Sequence, residues 1–597
     1  MRREWIAVLI LLIDTAPTLG YVLDTADPTG HRHWDLVHPE VHIGANPSIP
    51  VSTNVVNPAT KAVRFFIASD AYSTTNTAAE LNAVRASFGQ WQSVPGLIVK
   101  FEEGGLLASG VDVDPQDNTN VVFWAKHGTL VAGGRADIGG ALGVTFFAAA
   151  ADVSIGADIV LNGDPVKGYH WFTDINTVST DTRAYFIEAV LTHEIGHFIG
   201  LEHAPMGAAT MFFRGSSGLG TQAGLSIDEI AAGRALYPQP GVLASLGHIH
   251  GQVTADNAAV LGAAVFAENT SGGLIQGTVT KSDGSYDMTA LPPGTYSVRA
   301  APLDPTSAPS FLCRGQDILY PDYASAMTTF LPTEAVTLQV PAGSDQPQNI
   351  AVTSGGPAFR ITSLRNPTTN PSSQTRGSSA MGLLPGQQNQ IIGVYGANLP
   401  TSGSTLSITG DGLTITPIPS TSVFGGINLI SVSVSVTTNA TPGMRSLILR
   451  HGSDVAYANG FLDILSPTLD FNFDGLDDRF QRKYFPVYTA PQAGPGADPD
   501  GDGFSNSYEY YAGTDPTNPS SVPIVALKQV TLDAQGATVF WQSVPGGRYQ
   551  LQRRPAFGPS TPWASIGSVT TASDFTAQAP DPSAKGSLDF YRVQILP

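Results

Sequence analysis

The sequence predicts a multidomain chain in which an α+β domain is followed by all-β sandwich modules and a calcium-loop segment. Three observations predict it. At 597 residues the chain exceeds what one core holds, since domains average roughly 150 residues. Helical periodicity is confined to the stretch before Pro240 and almost vanishes after it. The chain carries 63 Gly and 44 Pro with only 13% charged residues, a balance that suits short strands joined by tight turns.

The charge balance narrows the partners. Lys and Arg total 30 against 49 Asp and Glu, a formal net charge of -19. That argues against nucleic acid and anionic membrane as partners, and suits a chain that carries cations. Cys313 is the single cysteine, so no disulfide can form within the chain.

The N-terminus opens with basic MRREW, continues with apolar IAVLILLI (6–13), and places small residues in APTLG before Tyr21. This is a leader pattern, with cleavage expected after Gly20 and a secreted, extracellular product. No later stretch approaches the ~20 apolar residues of a membrane span. Residues 21–57, with His31, His33, His38 and His42, read as an ordinary extension.

The next unit, 58–240, mixes helices and strands. TAAELNAVRASFGQW begins with Thr77 and sets Glu80 three residues on, a capping box. Leu81, Val84, Phe88 and Trp91 then recur at helical spacing. Strands are expected at 62–69, 96–103, 120–125, 141–147 and 157–162. A second helix is expected over 181–200, with an apolar stripe of Ala184, Ile187, Leu191, Ile195 and Phe198.

Beyond it, HIHGQVTADNAAVLGAAVFAEN and KSDGSYDMTALPPGTYSVRA alternate strands with Asp-Gly and Pro-Gly turns, giving a β-sandwich over 241–355. A second sandwich covers 356–466. It holds a Pro/Thr/Ser/Asn-rich linker at 366–377 and the period-2 strand ISVSVSVTT (430–438). An acidic segment (467–522) and a last β module (523–597) complete the chain, whose tail reads as beads of small β-sandwiches. His248 and His250 share one strand face, but no third ligand lies nearby in sequence, so they read as surface residues.

HEIGHFIGLEH (193–203) carries the chemistry. On a helix, His193 and His197 project from one face and can hold one ion. Gly200 can take the left-handed conformation that ends the helix, after which His203 can return to the same ion. Three imidazoles with an open fourth position are a catalytic zinc arrangement. Glu194, beside the first ligand, can take a proton from a water held at the open position.

The acidic segment carries a second metal pattern. In DPDGDGFSNSYE, Asp498, Asp500 and Asp502 occupy positions one, three and five of an EF-hand-type loop. Gly503 turns the chain at six, Phe504 offers a carbonyl, Asn506 stands at nine and Glu509 closes at twelve. That oxygen set suits calcium. A weaker copy, DFNFDGLDDRFQ, keeps Asp470, Asn472, Asp474 and Asp478 but ends in Gln481. Asp112, Asp114 and Asp117 in VDVDPQDN read as a solvated acidic loop.

HEIGHFIGLEH matches the HExxHxxGxxH signature of the metzincin metallopeptidases. Met211, eight residues after His203, stands where matrixin-like members have their turn methionine. LSIDEIAAGRALYP (225–238) resembles their closing helix, and ADIVLN resembles the strand next to their substrate cleft. The resemblance implies an α+β metzincin domain and a zinc endopeptidase. By it, His193, His197 and His203 are ligands, Glu194 is the catalytic base and Met211 is a structural floor. A protein or peptide substrate would bind beside an edge strand. Ala204 departs from the matrixin Ser or Thr. Phe213 replaces the tyrosine of astacin-like and serralysin-like relatives, and no cysteine precedes His193, which excludes a cysteine switch.

The acidic loops resemble dockerin and thrombospondin type 3 repeats, implying one or two structural calcium ions. Residues 246–304 resemble the carboxypeptidase regulatory-like, prealbumin-type sandwich. GVYGANLP and TPGMRSLILRHG resemble immunoglobulin-like domains of the IPT type, and WQSVPGGRYQLQRR resembles a fibronectin-III-like module. Two other readings stay open. One is a calcium-stabilised surface adhesin or scaffold with a vestigial metzincin domain, its β modules holding an extracellular surface or matrix ligand. The other is a dockerin-like component of an extracellular assembly.

Overall fold

Runs of Val, Phe and Ile favour extended backbone because branched and aromatic side chains pack well on a pleated surface. Five strands, all but the second of them such runs, build the first sheet: β1 (Val63–Ala68), β2 (Phe101–Leu107), β3 (Val121–Ala125), β4 (Gly143–Ala150) and β5 (Val153–Asn162). Their order is β2-β1-β3-β5-β4. All run parallel except β4, which pairs antiparallel with β5 at the sheet edge. The computed structural model describes residues 32–42, 48–150, 153–177, 181, 183–215, 221–303, 328–365, 380–400, 402–424, 427–556, 561–584 and 589–596. The leader (1–20), His31, Cys313 and the linker at 366–377 lie outside them.

Three helices complete this part: α1 (Thr77–Ser93), α2 (Ile187–Phe198) and α3 (Ile227–Leu236). The expected stripe of α1 is buried, with Trp91 at 0% and Phe88 at 1% exposure. Each such burial stabilises by roughly 1.5–3 kcal/mol. Phe88 stacks on Phe65 at 3.9 Å, and the Trp91 indole donates to the Thr192 carbonyl of α2 at 2.9 Å.

Several local expectations are corrected. The cap of α1 is Asn76 without a side-chain bond, and Glu80 instead accepts from the Ser73 amide and hydroxyl. Helix α2 starts at Ile187 and not at 181, because Ala184–Phe186 is claimed by a parallel pairing with His170–Phe172. Strand β2 begins at Phe101, since Leu97 bridges to Pro238 instead. ADIVLN lies inside the longer β5, one strand in from the edge. The edge strand is β4.

The first sandwich pairs two sheets. One contains β6 (Gly247–Ala255) between β9 (Ser285–Leu291), antiparallel, and two short parallel strands, β12 (Asp345–Pro347) and β13 (Ile350–Ser354). The other orders β8 (Leu274–Val279), β7 (Ala263–Asn269), β10 (Gly294–Pro302) and β11 (Val336–Val340) antiparallel. Ile249, Val265, Met288 and Val298 fill the space between. In the second sandwich the period-2 strand runs Ile427–Val436 and buries Val432, Val434 and Val436.

The backbone divides into two compact units, Met1–Asn472 and Phe473–Pro597. Within the first, the expected beads are replaced by packed modules. The amides of Gly207 and Ala208 donate to the carbonyls of Asn459 and Gly460 at 3.1 and 2.8 Å. Buried Asp228 on α3 accepts from the Gly277 amide of β8 at 3.0 Å. Arg299, 2% exposed, reaches Glu268, Asn459 and Ser446.

The second unit holds α4 (Asp478–Tyr484), α5 (Asn506–Ala512) and a small β sandwich around Val539, Trp541, Tyr549 and Leu551. YEYYAG is thus mostly helix, capped by Ser505 and ended by Gly513 at φ 76°. Among the described residues no helix is long and apolar enough to cross a membrane.

Candidate metal centre

Helix α2 delivers the first half of the site. Ile187, Leu191, Ile195 and Phe198 face the core, which turns His193 and His197 to one side with Glu194 between them. Gly200 ends the helix at φ 105°. A Cβ there would also sit 2.1 Å from the Arg32 carbonyl, so conformation and space both demand glycine. The chain then reverses and brings in His203.

The three rings form a near-equilateral triangle, with centroids 4.9, 5.0 and 4.9 Å apart. His193 Nδ1 lies 2.8 Å from the Thr210 carbonyl, and His197 Nδ1 lies 2.8 Å from the Leu201 carbonyl. A carbonyl only accepts, so both Nδ1 atoms carry protons and both Nε2 atoms keep an unprotonated lone pair. Burial holds His193 down to about 4, against the Thr210 carbonyl, and holds His197 and His203 well below the usual range. The imidazoles are therefore neutral, the form that binds metal.

The separation fits one ion. Two nitrogens at ~2.0–2.1 Å on a tetrahedral centre stand about 3.3 Å apart, and His203 Nε2 lies 3.1 Å from His193 Nε2. The donor atoms of all three residues lie within 4.8 Å of one another.

Glu194 is 4% exposed. Its Oε2 and its own carbonyl accept from the Thr145 hydroxyl of β4, at 2.7 and 2.9 Å. Burial pushes its carboxyl up to about 8, and the Thr145 bond pulls it back. A Cβ at Gly143 would lie 2.8 Å from the Glu194 Cγ, so the edge strand can pass this close only through glycine. Sequence reasoning missed Thr145 and Gly143. The glycine inside ALGVTFF was the available signal, since strand glycines mark close approach.

Met211 lies beneath the helix. A Cβ at Gly196 would stand 2.3 Å from its sulfur, and Met211 is 1% exposed. Its amide donates to Glu229 at 2.9 Å and its carbonyl accepts from Ala204 at 2.9 Å. Glu229 also closes the capping box of α3. The N-terminal extension is more than a tail: Arg32 donates to the His197 carbonyl at 2.6 Å and the Trp34 indole to that of Phe198 at 2.9 Å. Asp112 ties its loop to the turn at 132–135 by accepting from the amides of Ala132 and Gly133.

In the second unit, Asp498, Asp500 and Asp502 come together. Asp498 accepts from the amides of Gly501 and Gly503, at 2.9 and 3.0 Å. Asn506 and Glu509 are fully buried on α5. Asp500 Oδ2, Asp502 Oδ2, Asn506 Oδ1 and both Glu509 oxygens are buried with no donor in hydrogen-bond geometry. Orphaned oxygens at these positions fit a hard cation. Burial pushes Glu509 up to about 7, opposed by nearby Thr514 and reinforced by Asp500, Asp502 and Asp498.

The weaker copy is arranged differently. Gln481 donates its amide to Asp474 at 2.7 Å and to the Ala493 carbonyl at 2.8 Å, so an amide occupies a candidate ligand oxygen. Asp478 is the first residue of α4 and is buried. Asp470 and Asn472 end the first unit.

Residues 59–238 match the matrixin family model, residues 248–315 the carboxypeptidase regulatory-like domain, and residues 498–519 the bacterial TSP3 repeat. No curated protein matches the sequence. Among solved structures, BcpA, the major pilin subunit of Bacillus cereus, is similar at 9% identity over 36% of this chain and 69% of its own, with a TM-score of 0.14. A putative carbohydrate binding protein from Bacteroides uniformis is 12% identical over 36% of this chain and 95% of its own, with a TM-score of 0.13. A putative adhesin from Bacteroides ovatus is 12% identical over 35% of this chain and 72% of its own, with a TM-score of 0.13.

Proposed function

We propose that the chain is a secreted, extracellular zinc-dependent endopeptidase that hydrolyses peptide bonds of extracellular proteins. The observation that carries this reading is the triangle of neutral imidazoles from His193, His197 and His203 with Glu194 held beside it. The matrixin match over 59–238 supports it. Zinc, when bound, supplies the Lewis acidity that polarises the scissile carbonyl and makes water a nucleophile near neutral pH.

The remaining roles belong to the chain. An extended peptide adds to the edge strand β4, whose outer side pairs with no strand among the described residues. That lays the peptide over Glu194. Thr145 ties down Oε2, leaving Oε1 to take the proton of the attacking water and pass it to the departing amine. Met211 keeps the floor under His193 and His197 rigid, and is not a ligand.

In the second unit, calcium is the proposed occupant of Asp498, Asp500, Asp502, Phe504, Asn506 and Glu509. It would relieve the repulsion among carboxylates and stiffen the segment. The β modules serve for spacing or for docking a surface ligand.

The test is cleavage of casein and gelatin by residues 21–597, beside Glu194→Ala, with zinc measured on both. Cleavage by the wild type, together with an inactive mutant that keeps its zinc, supports the mechanism. Zinc on both proteins without cleavage by either sinks it, and the adhesin reading takes its place.

A further inference from the structure

Strand β6 carries His248 and His250 two residues apart, so both rings leave the same face while Ile249 between them is buried in the sandwich core. The missing third ligand comes from nearly a hundred residues later. Strand β12 runs parallel to β6 with His248 opposite Asp345. The surface reading of these histidines agrees with their exposure, and the pairing adds a carboxylate that sequence spacing did not show.

We propose that His248, His250 and Asp345 form a second divalent transition-metal site, of the zinc class, on the first sandwich. His248 Nδ1 lies 3.0 Å and His250 Nδ1 3.7 Å from one oxygen, Asp345 Oδ1. Donors held at ~2.0–2.2 Å by one ion stand about 3–3.5 Å apart. His248 Nδ1 already stands at that distance from Asp345 Oδ1, and His250 Nδ1 is slightly farther. One ligand atom from each of the three residues lies within 4.8 Å of the others. The rings are 5.1 Å apart at 66°, close to the spacing within the His193 triangle.

The outer contacts agree. With Nδ1 as the metal-facing atom, His248 Nε2 carries the proton and donates to Asp287 Oδ2 at 2.9 Å. Asp287 in turn accepts from the Thr289 hydroxyl at 2.6 Å. This carboxylate–histidine–metal relay fixes tautomer and ring orientation. Asp345 is 64% exposed and His250 41%, so the remaining coordination positions face outward, open to water or to a ligand group. The ion would tie β12 to β6, a pairing only three residues long.

Without metal, the same residues form a proton-held network in which His248 sits between two carboxylates, Asp287 and Asp345. Zinc content separates the two. Full-length protein, stripped with chelator and refilled with Zn2+ in equilibrium dialysis, is compared with His250→Ala and Asp345→Asn. Each variant is expected to hold one zinc fewer than the wild type, whatever the occupancy at His193, and casein cleavage should not change. Asp287→Asn is expected to weaken zinc binding at this site by about 10-fold or more. Equal zinc in the wild type and both variants overturns the proposal, as does a loss in only one of them. Since the substituted side chains lie on an exposed face, unchanged circular dichroism is expected throughout.

Discussion

Replacing Thr145 with Val keeps the shape of the side chain and removes one hydroxyl. That hydroxyl makes a 2.7 Å bond to Glu194 Oε2 on a carboxylate that is 4% exposed. Burial favours the protonated carboxyl in the metal-free site, whereas a bound cation would favour the carboxylate. A hydrogen bond to that charged group contributes roughly 1.5–3 kcal/mol, and Val can neither replace it nor admit water to the buried oxygen. If Glu194 must be held in place while it accepts a proton, the loss falls on the transition state. At about 1.4 kcal/mol per factor of ten, kcat/KM for a casein-derived peptide should drop roughly 10- to 150-fold. The drop should lie in kcat more than KM, because β4 still offers its backbone to the peptide. Zinc content should stay at the wild-type level, since the Thr145 hydroxyl donates to Glu194 and not to a histidine. A kcat/KM within twofold of wild type, with zinc intact, would refute the role given to Thr145 and weaken that of Glu194.

Three further outcomes are expected. Arg299→Ala removes the ion-pair partner of the buried Glu268 carboxylate, 11% exposed on its side chain, and leaves it Thr409 and Arg445. Breaking such a pair costs about 3–5 kcal/mol, so the melting transition that carries the His193 site should fall with that of the sandwiches, as followed by calorimetry. A peptidase transition that does not move would mean that the modules are independent beads. In the second unit, Glu509 is raised from 4.5 to about 7. The folded form therefore holds its proton more tightly than the unfolded form, and without calcium the stability of this unit should decline as pH rises from 4.5 towards 7. Calcium needs the carboxylate, so its affinity should weaken as pH falls below about 7. Calcium titrations on either side of neutrality read this directly, and a pH-independent affinity would count against Glu509 as a ligand.

Much of the site was legible because its information is local. Helical spacing puts His193 and His197 on one face, Gly200 turns the chain, and the offsets of the acidic loop count oxygens along a single turn. The element boundaries were less legible. The stretch before α2 has helical periodicity, yet Ala184–Phe186 pairs with a strand formed fourteen residues earlier in register. Glu80 looked like a capping residue for Thr77 and serves Ser73 instead, because the loop before α1 folds back over its first turn.

What the sequence determined by itself were the features that neighbours along the chain can specify. These are the α+β character of the first part, the β character of the rest, the clustering of the three histidines and that of the acidic loop. Tertiary structure alone decided which strand lies at the sheet edge, that Thr145 and Gly143 frame Glu194, and that Asp345 joins His248 and His250. It also decided that the two expected sandwiches over 241–355 and 356–466 pack with the α+β part into one unit. Each of these rests on strand register or on contacts between residues tens to hundreds of positions apart. Such contacts are chosen by the burial of whole surfaces, and no short motif encodes them.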